Sequence, residues 1–349
     1  MPGNATAVTG NLTVVGATAG GVIALGPTVA ATGQTTTIDF AQGETRANGV
    51  TVGLSPTGKL SAVFRSSTAG ATTQLIFDAT GYFTPDRSGA TYHPVAPGRV
   101  LDTRKSGSGH TNIGLSNKFA TGTVRTLKVA SVKGLGWSSA LVPAAATAVT
   151  GNLTVTNASS VGYVSMGQTM TATPSTSTLN VVAGSNIANG VTVALSGGTL
   201  AAVWKGSAGS SADLIFDVTG YFTADLSGLA FHPIVPERDL ETATNLGLHG
   251  AFASGTSRTL AIGGLAQVPS GAAGISGNLT VLNPSSNGFA SISPTTVANP
   301  TSSTINVTAH LAGANGFDVA LASGGVAIVW VGATGSTADV ALDVTGYWK

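Results

Sequence analysis

Apolar and polar residues alternate over short stretches of this chain, and the alternation returns three times along its length. In the stretch LIFDVTGYF, Leu214, Phe216 and Val218 fall on one face, whereas Asp217 and Tyr221 fall on the other. A period of two predicts β-strands, because successive side chains of a strand point to opposite faces. No stretch of ten residues has helical periodicity. We therefore expect an all-β chain of short strands.

Three motifs recur in a fixed order and indicate tandem copies of one unit. They are GNLTV at 10–14, 151–155 and 277–281, ANG at 47–49, 188–190 and 314–316, and TGY at 80–82, 219–221 and 345–347. The spacing of strand and turn signals predicts seven or eight short strands in each unit, which is typical of an antiparallel β-sandwich. The predicted fold is a tandem array of such sandwiches.

The repeat boundaries follow from two further motifs, an HP motif at 91–104 and 230–243 and an RTL motif at 125–130 and 258–263. We place repeat 1 at residues 1–86, repeat 2 at 87–226 and repeat 3 at 227–349. Repeat 1 lacks both motifs, so we expect it to be truncated at its N-terminus relative to the others. The Asn-Gly dipeptides at 48–49, 189–190 and 315–316 predict tight turns, because both residues tolerate positive φ.

Composition narrows the classes of partner. Charged residues make up 8% of the 349 residues, the net charge is +1, and the lysines and arginines are scattered. We expect no nucleic-acid partner, since no basic stripe faces a phosphate backbone. The sequence contains no apolar run of 18 residues, so we expect no membrane insertion. The absence of cysteine excludes disulfides, and the low charge with many hydroxyl residues favours an extracellular or cell-surface bacterial protein.

The motifs hPxxPxRxLDTR, NLTV and DVxGYF resemble a tandem β-repeat module of secreted and surface proteins of actinobacteria and related soil bacteria. The resemblance covers nearly the whole chain. It implies a secreted, non-catalytic accessory or surface role, often beside a hydrolase domain. Repeat 3 departs from the pattern, because LETA at Leu240–Ala243 replaces LDTR at Leu101–Arg104.

The repeated acid, threonine and tyrosine on one strand face have two interpretations. Catalytic acids of a glycosidase would need a second carboxylate in each copy, and none recurs. A buried carboxylate needs hydrogen-bond donors, so we predict a structural brace to backbone amides or to the Asn and Thr of GNLTV. The predicted brace residues are Asn11, Asp78, Tyr82, Asn152, Asp217, Tyr221, Asn278, Asp343 and Tyr347.

The HP motif places histidine, arginine and aspartate at the junction between copies. A His–Asp pair could activate a serine, but no G-x-S-x-G motif is present. We therefore predict an Arg–Asp brace at the junction, and the histidine spacing predicts no metal site. The junction residues are His93, Arg99, Asp102, Arg104, His232 and Arg238.

Aromatic residues outside the core pattern are the candidates for stacking on sugar rings. Phe64, Trp204 and Trp330 share a face with aliphatic residues, which predicts core positions. Trp137, Tyr163 and Phe289 instead follow glycine or turn residues. We take those three as the candidate ligand-binding residues.

Together these patterns predict a non-catalytic, extracellular structural or adhesive module at the bacterial cell surface, with no cofactor. Its expected partners are other copies of itself or cell-wall polysaccharide. Two alternatives stay open. One is an array of carbohydrate- or cell-wall-binding modules accessory to a secreted hydrolase, in which repetition supplies avidity. The more distant one is an enzyme that uses a non-repeated acid.

Overall fold

The computed structural model describes residues 1–86, 88–107, 110–265 and 267–349, and in these ranges it is all-β with no α-helix. The all-β prediction is confirmed. Repeat 1 contains six strands: β1 (Ala7–Val15), β2 (Gly21–Gly26), β3 (Ile38–Phe40), β4 (Arg46–Gly53), β5 (Ser61–Arg65) and β6 (Gln74–Phe83).

Repeats 2 and 3 each contain nine described strands. Those of repeat 2 are β7 (Thr91–Asp102), β8 (Phe119–Ala120), β9 (Val124–Lys128), β10 (Ala146–Thr156), β11 (Gly162–Gly167), β12 (Leu179–Val181), β13 (Ile187–Ala194), β14 (Thr199–Gly206) and β15 (Ser211–Thr223). Those of repeat 3 are β16 (Phe231–Glu241), β17 (Phe252–Ala253), β18 (Ser257–Ala261), β19 (Gly274–Leu282), β20 (Gly288–Ser293), β21 (Ile305–Val307), β22 (Gly313–Ala320), β23 (Gly325–Gly332) and β24 (Thr337–Trp348), with a 3-10 turn at Thr242–Thr244.

Each repeat forms two antiparallel sheets, which we call inner and outer. The inner sheets have the orders β4-β1-β6, β13-β10-β15-β7 and β22-β19-β24-β16. The outer sheets have the orders β3-β2-β5, β12-β11-β14-β9 and β21-β20-β23-β18. The short strands β8 and β17 also pair with β15 and β24, so the inner sheet of repeat 1 is two strands narrower and its outer sheet one strand narrower. Among the described residues of repeat 1, the strands formed by the HP and RTL motifs and the short strand between them have no counterpart.

Each repeat buries its own hydrophobic cluster, with members from both of its sheets. In repeat 2 the cluster includes Leu153, Trp204 and Phe216, all fully buried, and Trp330 takes the place of Trp204 in repeat 3. Phe64, the counterpart in repeat 1, packs against the core but is only partly buried. The alternating pattern therefore predicted the core-facing aromatic position in all three copies.

The six sheets form a propeller-like ring instead of separate beads. Strands β4, β13 and β22 contact one another at the centre. The short outer strands β12, β21 and β3 pack on β4, β13 and β22 of the neighbouring repeat. Each repeat is therefore held by two neighbours.

The prediction of turns at the Asn-Gly dipeptides is wrong. All three dipeptides lie inside strands, in β4, β13 and β22, where Asn48 pairs with Leu12 and Asn189 with Leu153. Tertiary contacts at the centre of the ring, and not the local preference of Asn-Gly for positive φ, determine the backbone conformation of these dipeptides.

Candidate functional site

The centre of the ring is a closed set of hydrogen bonds among asparagines of different repeats. The Oδ1 atoms of Asn189, Asn315 and Asn48 accept the backbone N–H of Gly49, Gly190 and Gly316, over 2.6 to 2.7 Å. Each bond joins two repeats, and the third returns to the first. The three side chains are fully buried, so these bonds form without competition from water.

The asparagines of the GNLTV motif form a second tier around this centre. Asn48 donates to Asn278 Oδ1, Asn189 to Asn11 Oδ1 and Asn315 to Asn152 Oδ1, each over 2.8 Å. Each GNLTV asparagine in turn donates to a backbone carbonyl of the next repeat, at Ser177, Ser303 or Thr36. We call these six asparagines the asparagine belt. The GNLTV asparagines therefore join repeats to one another.

Glycine follows the central asparagine because the three strands approach too closely for a side chain. A Cβ atom on Gly49 would lie 1.8 Å from the carbonyl oxygen of Gly190. The same atom on Gly190 or Gly316 would lie 2.2 or 1.9 Å from the next carbonyl oxygen. The Asn-Gly dipeptide thus supplies an amide for the neighbour and room for its backbone.

The repeated aspartate is bound by an arginine of the HP strand in repeats 2 and 3. Arg99 Nε and Nη2 donate to the two oxygens of Asp217 over 2.8 and 3.1 Å. Arg238 binds Asp343 in the same way, over 2.8 and 2.9 Å. This bidentate geometry is the strongest form of Arg–carboxylate pairing. The Asn and Thr of GNLTV do not bind the aspartate, whereas a backbone amide, the other partner we expected, does bind Asp343 through the N–H of Thr36.

Both ion pairs also reach the neighbouring repeat. Arg99 donates to the carbonyl oxygen of Thr301, and Asp343 accepts the backbone N–H of Thr36 over 2.8 Å. Sequence reasoning missed this contact, because the strand carrying the acid and the loop that meets it belong to different repeats. The hydroxyl triplets TTT, TST and SST directly before β3, β12 and β21 are the signal that could have indicated it.

The charge state of the pair follows from burial opposed by mutual attraction. Burial raises the pKa of Asp217, and the hydrogen bonds and charge of Arg99 oppose that rise. Burial by itself would lower the pKa of Arg99, but its bonds to Asp217 raise it. The bidentate pair therefore opposes the neutralisation of the carboxylate that burial favours.

A second carboxylate extends the network in repeats 2 and 3. Arg99 also binds Asp102 over 3.2 Å, and Arg104 binds Asp102 over 2.6 Å. Burial would raise the pKa of Asp102, yet the hydrogen bonds and charge of Arg104 hold it below its usual range. In repeat 3 Arg238 binds Glu241 over 3.3 Å, and Ala243 stands where repeat 2 has Arg104. Repeat 3 keeps the brace and loses only its outermost arginine.

The histidine of the HP motif stacks on the repeated tyrosine. The rings of His93 and Tyr221 lie 4.8 Å apart at an interplanar angle of 10°, and those of His232 and Tyr347 have the same geometry. His93 Nε2 also lies 2.8 Å from Thr223 Oγ1. The tyrosine thus contributes a ring face to the junction.

Repeat 1 holds the same acid and tyrosine without these partners. Among the described residues no hydrogen bond or ion pair reaches the Asp78 carboxylate, and burial raises its pKa. Tyr82 is 52% exposed, whereas Tyr221 and Tyr347 are partly buried beneath histidine rings. The difference arises because repeat 1 has no HP strand.

Of the three candidate ligand-binding aromatics, Trp137 is excluded by burial. It is 5% exposed, packs in the core of repeat 2, lies over Gly98, and donates its Nε1–H to Ala96 over 2.8 Å. The glycine-rich loop around it folds inward because Gly98 leaves room for the indole. Tyr163 is partly buried, and its hydroxyl donates to the carbonyl oxygen of Pro174 over 3.3 Å.

Phe289 lies in a cavity of about 350 Å³ between repeats 2 and 3. Asn186 from repeat 2 and Asn287 and Asn306 from repeat 3 also line it. Asn306 Oδ1 is buried and has no hydrogen-bond partner among the described residues. An aromatic ring beside an amide without a partner is a pairing that can hold a polar ring with one apolar face.

The described residues form neither a metal site nor a membrane-spanning helix. No three His, Cys, Asp or Glu side chains lie close enough to hold a metal ion. No helix there is long and apolar enough to cross a membrane.

Comparisons with known proteins add little to this geometry. No protein-family model and no curated protein matches the chain. One similar solved structure, described as the atomic structure of Sulfolobus Turreted Icosahedral Virus, is 10% identical and covers 100% of this chain and 81% of that chain, with a TM-score of 0.18. Another, described as the triple jelly roll fold and turret assembly in an archaeal virus, is 9% identical and covers 99% and 79%, also at 0.18. A TM-score this low carries no argument about function.

Proposed function

We propose that this protein is a non-catalytic structural or adhesive module of the bacterial cell surface that associates with other copies of itself or with wall polymers. The proposal rests on the groups that the repeated polar side chains bind. The asparagines and the acid–arginine sets join strands and repeats in repeats 2 and 3. The asparagine belt thus joins all three repeats, and in repeats 2 and 3 the repeated acid is taken up by an arginine.

The extracellular location and the bacterial surface role rest on composition and on the resemblance of the motifs. A chain with 8% charged residues and no cysteine needs neither a reducing compartment nor a charged partner. We also propose the finer description of the fold, in which each repeat is an antiparallel β-sandwich. Its support is that each repeat buries a cluster of its own between two sheets.

Sedimentation velocity over a hundredfold range of protein concentration tests the self-association. We expect species larger than one chain to grow with concentration, because weakly charged sheet edges are poorly protected against pairing. A single monomeric species at every concentration would remove self-association and leave wall polymer as the partner.

A carbohydrate-binding array is the second candidate, and the cavity at Phe289 is the observation that favours it. The test is a pelleting assay on isolated bacterial cell walls, chitin, cellulose and xylan. If the cavity binds sugar, Phe289→Ala weakens saturable binding, whereas Val161→Ala, an exposed apolar position elsewhere, does not. Tyr163→Ala is the second variant, since Tyr163 holds the equivalent strand position in repeat 2. Equal binding by all variants would exclude both aromatics as the ligand site.

A further inference from the structure

Strand β6 forms one edge of the inner sheet of repeat 1, where its counterparts in the other repeats are covered. In repeats 2 and 3 the equivalent strands β15 and β24 pair on that side with β7 and β16. Leu75 and Ile76 of β6 are 39% and 50% exposed, whereas Leu214 and Val340, which match Leu75, are fully buried. The last strand of the inner sheet is thus covered by an HP strand in repeats 2 and 3 and exposed in repeat 1.

The side chains that would receive a partner strand are in place on β6. Asp217 and Asp343 each face an arginine of the HP strand, and Tyr221 and Tyr347 each face its histidine. The matching residues Asp78 and Tyr82 lie at the same spacing on β6. The Asp78 carboxylate therefore presents an acceptor at the place where the other repeats bind guanidinium.

A cavity lies where the first aromatic residue of an HP strand would sit on repeat 1. Around the end of the ring, Phe83, Phe222, Phe231, Trp348 and Tyr92 pack with ring centroids 4.2 to 6.4 Å apart. Repeats 2 and 3 each supply two of these rings, one from the last strand and one from the HP strand. Repeat 1 supplies one, and a cavity of about 510 Å³ adjoins it.

The glycine of the TGY motif marks the same vacancy. A Cβ on Gly220 would lie 2.3 Å from the Tyr92 ring, and one on Gly346 would lie 2.3 Å from the Phe231 ring. Over Gly81, the counterpart in repeat 1, only Thr9 comes within 4 Å, and Gly81 lines the cavity. The space that glycine leaves for an aromatic ring is filled in two repeats and open in one.

The outer sheet of repeat 1 is open in the same way. In the part of the chain that the structure describes, strand β5 has no neighbour on the side where β14 pairs with β9 and β23 with β18. In both complete repeats the HP strand precedes the RTL strand in the chain, so a single segment supplies both. A single segment that runs from an HP strand to an RTL strand would therefore fill the cavity and pair with both open edges.

We propose that the open side of repeat 1 is a docking site for an extended polypeptide segment with the pattern aromatic-His-Pro-x-x-Pro-x-Arg-x-Leu. The segment pairs antiparallel with β6. Its arginine binds Asp78, its histidine stacks on Tyr82, its aromatic residue fills the cavity over Gly81, and its leucine faces Phe77. This register is that of β7 on β15 and of β16 on β24. The inference concerns the partner and does not depend on where the protein acts.

A free segment fits this edge better than a strand exchanged with a second copy of the chain. To donate β7, a second copy would have to break the bidentate Arg99–Asp217 pair and withdraw Tyr92 from the aromatic cluster. The arginine pair gained at Asp78 would only replace the one lost, so exchange gains little.

The test is a binding titration of the full chain with a fluorescently labelled peptide of the sequence ATYHPVAPGRVLDTR, residues 90–104. We expect saturable binding with 1:1 stoichiometry. Asp78→Asn should weaken it about tenfold to hundredfold, as expected for a lost charge-assisted pair. Asp78 is partly exposed, so this variant should keep its fold, which near-UV circular dichroism checks.

Matched peptides separate docking from general adhesion. A peptide with Arg99→Ala should bind the native protein about as weakly as the native peptide binds the Asp78→Asn protein. Its affinity should not fall further when it is tested on the Asp78→Asn protein. A peptide with Arg104→Ala should bind normally, because Arg104 contacts Asp102 of its own strand. Absence of binding at millimolar peptide, or binding insensitive to both Asp78 and Arg99, would overturn the proposal. A dimer of the protein alone that Asp78→Asn weakens and that peptide cannot dissociate would overturn it in favour of strand exchange.

Discussion

At the scale of single residues, one arginine decides whether a buried acid stabilises the protein. The side chains of Asp217 and Arg99 are 1% and 11% exposed, and each satisfies the other's charge. Removing one member of such a pair leaves an uncompensated charge, whereas removing both does not. Repeat 1 provides the natural comparison, because Asp78 has the same place in the strand and sits closer to water.

We expect Arg99→Met to lower the free energy of unfolding by about 3–5 kcal/mol at pH 7, because Asp217 then keeps its burial and loses its cation. Replacing both residues, as Arg99→Met with Asp217→Leu, should restore most of that loss. Asp78→Asn, with no cation to lose, should change stability by less than about 1 kcal/mol. Urea unfolding followed by tryptophan fluorescence measures all three variants. A loss equal in the single and double variants would show that packing, and not charge, determines the effect.

Asp318 is an acid without a cation at the centre of the ring. It follows the Asn-Gly of repeat 3, where Thr51 and Thr192 stand in the other repeats. Burial raises its pKa to about 6, although hydrogen bonds with Ser276 and Trp348 oppose the rise. The folded state therefore binds a proton more tightly than the unfolded chain does, whose aspartate titrates near pH 4.

For this reason Asp318 should destabilise the protein as pH rises from about 4 to about 6, and the penalty should be constant above that range. Asp318→Asn removes the titration, so the variant should gain about 1–3 kcal/mol at pH 7.5 and match the native protein near pH 4. Denaturant unfolding at both pH values measures the difference. Asp86→Asn is a control of opposite sign, because Thr84 and Ser88 lower the pKa of Asp86 to about 2. A gain for Asp318→Asn that is equal at both pH values would contradict the assignment.

At the scale of elements, the three strands β4, β13 and β22 determine how the sheets meet. Each carries the same dipeptide, in which asparagine bonds to one neighbour and glycine admits the other. A strand that offered only apolar side chains here would leave the Gly N–H groups buried and unsatisfied. The belt therefore sets the distance and the register between repeats.

We expect Gly190→Ala to destabilise the protein by more than about 2 kcal/mol, because its Cβ would overlap the carbonyl oxygen of Gly316 and force the strands apart. Gly89→Ala is the matched control: a Cβ there meets no atom within 4 Å, so the change should stay within about 0.5 kcal/mol. Thermal melting of both variants gives the comparison. Similar melting temperatures would mean that the centre of the ring yields without loss.

At the scale of the whole molecule, the ring closes on itself. Hydrogen bonds run from repeat 1 to 2, from 2 to 3 and from 3 back to 1. An open array of repeats can lose one end while the rest stays folded. In a closed ring, the loss of one repeat exposes belt groups of both others.

The three repeats should therefore unfold together. We expect one calorimetric transition, with the calorimetric enthalpy equal to the van't Hoff enthalpy. An Asn189→Ala variant removes hydrogen bonds between repeats 1 and 2 and one hydrogen bond to a loop of repeat 2. It should lower the temperature of the single transition without splitting it. Two or more separate transitions in the native protein would show that the repeats are independent.

The sequence by itself determined the local features of this protein. A period of two identified the strands, the recurrence of whole motifs identified three copies, and the alternation of apolar residues identified Trp204 and Trp330 as core. These depend on neighbours in the chain. The aspartate–arginine residues were also singled out from the sequence, but the partner of Asp217 lies 118 residues away on a strand of the HP motif, so the pairing itself could not be read locally.

Only the tertiary structure decided what the Asn-Gly dipeptides and Trp137 do. Asn-Gly favours a turn when its polar groups face water, whereas in the ring the same groups bond to two other repeats and the backbone stays extended. Trp137 follows glycines that suggest an exposed loop, yet Gly98 on a distant strand makes room for its ring. In both cases contacts between residues far apart in the chain outweigh the local preference, because burial satisfies more hydrogen bonds and removes more apolar surface than the local conformation could.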